Sequence, residues 1–134
     1  MKLHAMRLKP MQDLKQSIYQ YAQDNQVQAG FVLTCVGSLQ RAALRMANQD
    51  ETTILEGKFE ICSLVGTVEL GGIHLHIALS DGTGAMIGGH LQDGSLIYTT
   101  AEIVLGQALD LRFSREYCAD SGYDELVIRP VDAN

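Results

Sequence analysis

Apolar positions recur at helical spacing near the start of the chain and at strand spacing through most of the rest. Met11, Leu14, Ile18, Tyr21 and Ala22 follow intervals of 3, 4, 3 and 1, one stripe of a helix. Pro10 stands where such a helix would begin, Asp13 in its first turn suits the positive end of the macrodipole, and the helix should end near Asn25. Weak alternation over residues 4–9 gives a first strand ahead of it. After Gly30 the pattern changes for good. Residues 31–36, 42–47, 53–68, 73–80, 85–91, 97–105, 109–115 and 126–129 read as strands, punctuated by Gly, Asp and Asn. The segment 53–68 is too long for one ordinary strand, and a break is expected near Glu56-Gly57. The predicted class is α+β in a single domain over residues 1–134: one main helix packed on a mostly antiparallel sheet.

The alternation also places the chemistry. Ile73, Leu75, Ile77 and Leu79 share one strand face, which must be core; His74, His76, Ala78 and Ser80 share the other. The turn Asp81-Gly82-Thr83-Gly84 then returns a segment carrying Gly88-Gly89-His90. A two-residue loop would turn His90 toward the core. A three-residue loop, with Gly84 in the left-handed position of a G1 bulge, pairs His76 with His90, sets Ile87 opposite Leu79 and Leu91 opposite Leu75, and keeps the apolar face apolar. That register is preferred. Three neutral imidazoles on one face suit a first-row divalent metal, zinc foremost, with a fourth position left for water or a ligand. The competing reading is three histidines hydrogen-bonded to backbone or water. Glu102, alternating with Tyr98, Thr100 and Val104, is a candidate for a carboxylate supporting that centre or for a general base, with a plain surface ion pair as the alternative. Arg45 could hold an anionic ligand or pair with an acidic side chain. Asp81 and Asp93 read as turn residues.

Composition narrows the partners. Sixteen Asp and Glu against ten Lys and Arg give a net charge of −6, and no basic run offsets it, so duplex DNA is disfavoured as a partner. Cys35, Cys62 and Cys118, odd in number and far apart, read as buried thiols of a reducing compartment. No signal-peptide pattern and no membrane-length apolar run is visible, which points to a cytoplasmic protein. No Gly-Lys-Ser/Thr follows Gly82-Thr83-Gly84, so it is not a phosphate loop. Ser80, His76 and Asp81 lie too close along one strand for a nucleophilic triad, and no Gly-x-Ser-x-Gly elbow exists.

The order and spacing of several short motifs is more specific than any one of them. They are Val36-Gly37-Ser38-Leu39 followed by Leu44-Arg45, Gly57-Lys58-Phe59-Glu60-Ile61, Ser63-Leu64-Val65-Gly66-Thr67, His74-Leu75-His76, Gly88-Gly89-His90 and Thr99-Thr100-Ala101-Glu102-Ile103-Val104. In this order they resemble the plant and prokaryote conserved (PPC) domain over nearly the whole chain. In plants that domain follows an AT-hook and belongs to nuclear DNA-binding regulators. This chain shows no AT-hook and is similar to the prokaryotic stand-alone form. The resemblance implies a strongly curved sheet, a homotrimer and a histidine metal site. Three functions are therefore weighed: a trimeric metal-binding regulatory or binding module; a small metalloenzyme of hydrolase or lyase type acting on a small molecule; and a DNA-binding protein, which the family label suggests and the charge opposes.

Overall fold

The computed structural model describes residues 1–131. Its elements are β1 (Lys2–Leu8), α1 (Leu14–Asp24), β2 (Gly30–Arg45), β3 (Thr52–Glu69), β4 (Gly72–Ser80), β5 (Met86–Leu91), β6 (Leu96–Gln107), β7 (Leu111–Cys118) and β8 (Tyr123–Pro130). The single helix starts later than Pro10. Asp13 is its N-cap rather than part of its first turn, and its Oδ1 accepts a hydrogen bond from the Gln16 amide at 2.9 Å. Met11 sits at φ 70°, outside helical space, and is exposed. The helix buries Leu14, Ile18 and Ala22 completely. Tyr19 Oη and Gln23 Nε2 both donate to the Leu70 carbonyl, at 3.1 and 3.2 Å, which pins the helix to the β3–β4 turn.

The main sheet has the order β1-β6-β2-β3-β4-β5, every pairing antiparallel. The two segments expected at 31–36 and 42–47 are one strand, β2. The break expected near Glu56-Gly57 is a register slip inside β3: Leu39 faces Phe59, but Arg41 faces Glu56. An extra residue of this kind bends and twists a strand without ending it, so long strands can follow a curved surface. The curvature closes on itself. Leu44 and Arg45, at the end of β2, pair with Leu91 and His90 of β5, so β2, β3, β4 and β5 form a circuit. Inside it lie Leu39, Leu44, Leu64, Leu75, Leu79 and Leu91, packed with the helix stripe in one apolar core.

β7 and β8 form a separate two-stranded sheet, in register from Leu111–Pro130 to Cys118–Tyr123. β8 extends beyond the segment expected at 126–129 at both ends, and β7 is shifted from 109–115, starting two residues later and ending three later. The Phe113 amide donates to the Gln28 carbonyl at 3.1 Å and Arg112 Nε to Gln28 Oε1 at 3.0 Å, holding the hairpin to the segment between α1 and β2. The cysteines do not share one environment. Cys35 is buried, and burial pushes its thiol up to about 12, whereas Cys62 is exposed and Cys118 closes the β7 end of the hairpin. Among the described residues no helix is long and apolar enough to cross a membrane.

Candidate metal centre

The site begins with the alternation of β4. Leu75, Ile77 and Leu79 face the core, and His74 and His76 stand on the other side. The turn that follows is locked by Asp81. Its Oδ1 accepts from the Thr83 amide (2.8 Å), Thr83 Oγ1 (2.7 Å) and the Ala85 amide (3.1 Å), and these bonds hold the carboxyl below its usual range. Asp81 also exchanges backbone bonds with Gly84 and Ala85, and Gly84 takes φ 84°, the conformation this three-residue loop requires of a glycine. The register is His76–His90, Ile77–Gly89 and Leu79–Ile87. The β4–β5 ladder ends at His76–His90, one pair short of Leu75, and on its other side Leu91 pairs with Leu44 of β2, where the sheet closes.

Closure creates a row across four strands. Val65 pairs with His76, His76 with His90, and His90 with Arg45. Directly opposed residues of antiparallel strands share a face. His74, opposite Thr67, lies two residues along the same face. The imidazoles converge: His74 Nε2 and His76 Nε2 are 3.2 Å apart, ring centroids are 4.9, 4.9 and 5.6 Å apart, and one nitrogen of each ring lies within 4.8 Å of the others. Two nitrogens on a tetrahedral zinc at bond lengths of 2.0–2.1 Å are separated by about 3.3 Å. The closest pair already meets that spacing, and the donor set is the one such an ion takes. No fourth His, Cys, Asp or Glu joins the group among the described residues.

The surroundings favour the neutral form of His74 and His90. Burial, followed by the charges of His74 and Arg45, lowers His90 to about 4. His74 is lowered by burial first, then by His76 and Arg115, with Glu125 opposing. A neutral ring is the form that binds metal.

Beside the histidines opens a cleft of about 590 Å³, lined by His74, His90 and Arg45 from the main sheet and by Arg115, Tyr123, Asp124 and Glu125 from the hairpin. Arg45 therefore lies next to the cluster, with no acidic partner among the described residues. Glu102 does not lie there. It is exposed on β6 between Arg7 and Val36, in a groove that contains no histidine. It shares the outward orientation of the cluster, but β6 pairs with the first part of β2 whereas β5 pairs with its end. The hairpin residues carried no spacing signal in the sequence. Arg115 reaches its place through Glu69, which is 1% exposed: Nε meets Glu69 Oε1 at 3.0 Å, and Nη2 donates to Thr67 Oγ1 at 2.9 Å. Gly72 is what leaves room for this pair, since a Cβ there would lie 2.9 Å from Glu69 Oε1 and 3.5 Å from Arg115 Cγ.

Residues 1–109 match the family described as the Plants and Prokaryotes Conserved (PCC) domain. A bifunctional protein GlmU of Synechococcus sp. (strain JA-3-3Ab) is 48% identical over 131 residues, covering 98% of this chain and 21% of its own length. The chain thus spans about a fifth of that relative. A hypothetical protein of Salmonella cholerae-suis has a closely similar structure, with a TM-score of 0.94 and 47% identity over 96% of this chain and 94% of that one. A metal-containing protein of Archaeoglobus fulgidus shares the fold, with a TM-score of 0.78 and 22% identity over 94% and 93% of the two chains.

Proposed function

Since the chain belongs to the Plants and Prokaryotes Conserved domain family, we propose that it is a cytoplasmic metal-binding module in which His74, His76 and His90 hold one divalent ion, zinc foremost. The observation that carries this reading is the set of three imidazole donors within 4.8 Å on one sheet face, with no fourth protein ligand among the described residues and a cleft alongside. That pattern is what an ion with an exchangeable position needs. The metal-containing Archaeoglobus protein of the same fold supports it. Elemental analysis of protein purified without a histidine tag tests it. About one zinc per chain is expected, and less than about one-tenth, with no uptake on adding zinc, overturns the reading.

The same proposal has the module assemble as a homotrimer. Leu3, Leu33, Val36 and Val65 are exposed on β1, β2 and β3, an unusual outlay of large apolar side chains for a sheet facing only water. Sedimentation equilibrium should return about three times the 14.6 kDa chain mass, and a monomer at micromolar concentration contradicts it.

The cleft favours one second reading, a small metalloenzyme. An ion held here would supply a Lewis acid beside the Arg45 guanidinium. Hydrolysis of simple esters or amides by the metal-loaded protein, lost in His90→Ala, would favour this over a binding role. DNA binding finds no support in the charge of −6.

A further inference from the structure

Of the two arginines that line this cleft, Arg45 is the one without a carboxylate partner among the described residues. Arg115 is matched by Glu69, but among the described residues Arg45 forms no ion pair, and its guanidinium reaches only the Gln49 carbonyl, at 3.5 Å. Arg45 is also directly opposite His90 in the ladder, the next side chain in the row after the candidate ligands. A guanidinium beside an ion's open position can form a two-point receptor: one oxygen of a ligand goes to the metal, and the other accepts from the planar N–H fork.

The charge count selects the ligand. Arg45 and Arg115 face Glu69, Asp124 and Glu125, a balance of −1. A divalent ion on neutral histidines changes that to +1. A singly charged carboxylate neutralises the site, whereas a phosphate near two negative charges overshoots it beside Asp124 and Glu125. A volume of about 590 Å³ suits a ligand of metabolite size.

Building on the metal reading above, we propose that Arg45 makes this centre a receptor for a small organic carboxylate, bound jointly by the metal and the guanidinium. The two then raise each other's affinity, because whatever the carboxylate adds to metal binding the metal adds to carboxylate binding.

Cobalt(II) is the metal to use, because its visible absorption reports the ligands around it without any need for turnover. The cobalt-loaded protein is titrated with sodium acetate and, separately, with inorganic phosphate, at ionic strength held constant with perchlorate. Acetate should shift the spectrum saturably and phosphate should bind more weakly. Arg45→Met should still take up one cobalt per chain, which shows that its fold and site are intact, while its acetate affinity drops about tenfold or more. Arg45→Lys should fall between the two. Cobalt binding with no response to acetate overturns the inference alone. So does a Met variant that binds acetate as the parent does, or phosphate binding more tightly than acetate. Failure to take up cobalt at all overturns the metal reading and this inference together.

Discussion

His90 occupies the junction of two demands. It must sit on β5 in register with His76, and it must tolerate Arg45 across the next strand pair. Burial first, then the charges of His74 and Arg45, lower it to about 4, and His74 is lowered as well. In an unfolded chain both titrate near the ordinary histidine value of about 6.5. Between that value and the lowered ones the unfolded state binds protons that the folded state refuses. The stability of the metal-free protein is therefore intact above about pH 6.5 and declines as pH falls toward 4. Thermal melts of metal-free protein across this range should show a falling midpoint, with a shallower fall in His90→Ala. The same substitution should reduce zinc from about one per chain to below about one-tenth, because two imidazoles alone hold such an ion poorly.

At the scale of elements, one buried pair ties the β7–β8 hairpin to the end of β3. Among the described residues Glu69 Oε2 has no hydrogen-bond partner, so Arg115 supplies the carboxylate's side-chain compensation. Arg115→Ala should destabilise the protein by about 3 kcal/mol, since it strands a buried charge. Adding Glu69→Gln to that variant should recover part of the loss, and chemical denaturation of the single and double variants measures both. None of this was legible in the sequence. Nothing in the spacing of Glu69 and Arg115, 46 positions apart, marks them as partners. The β4–β5 hairpin was legible, because a strict apolar alternation admits one loop length. Glu102 shows the limit of the same rule. Alternation tells which face a side chain takes but not which sector of a closed sheet, and that depends on the long-range pairing of β2 with β5. The helix start was displaced for a local reason: capping by Asp13 outweighed the permissive Pro10.

For the molecule as a whole, charge sets the outer limit on partners. Three chains of −6 would carry −18, and a divalent ion in each still leaves −4 per chain. Labelled AT-rich duplex at near-physiological salt should bind no more tightly than about 10⁻⁶ M, and a tighter, salt-sensitive complex would restore a role on DNA. The circuit of β2 to β5 has one weak link. β5 is held to β4 over five residue pairs, from Ser80–Met86 to His76–His90, but to β2 only through Leu44–Leu91 and Arg45–His90. Within that circuit it is the strand with the fewest ladder pairs, and an ion on His74, His76 and His90 would stitch its end to β4 from outside the sheet. Amide hydrogen exchange registers that difference. Backbone amides of β5 should exchange well before those of β4 in the metal-free protein, and zinc should slow β5 far more than the helix or β1. A metal that merely decorated the surface would leave those rates alone; one that clasps the barrel shut would change them at a single seam.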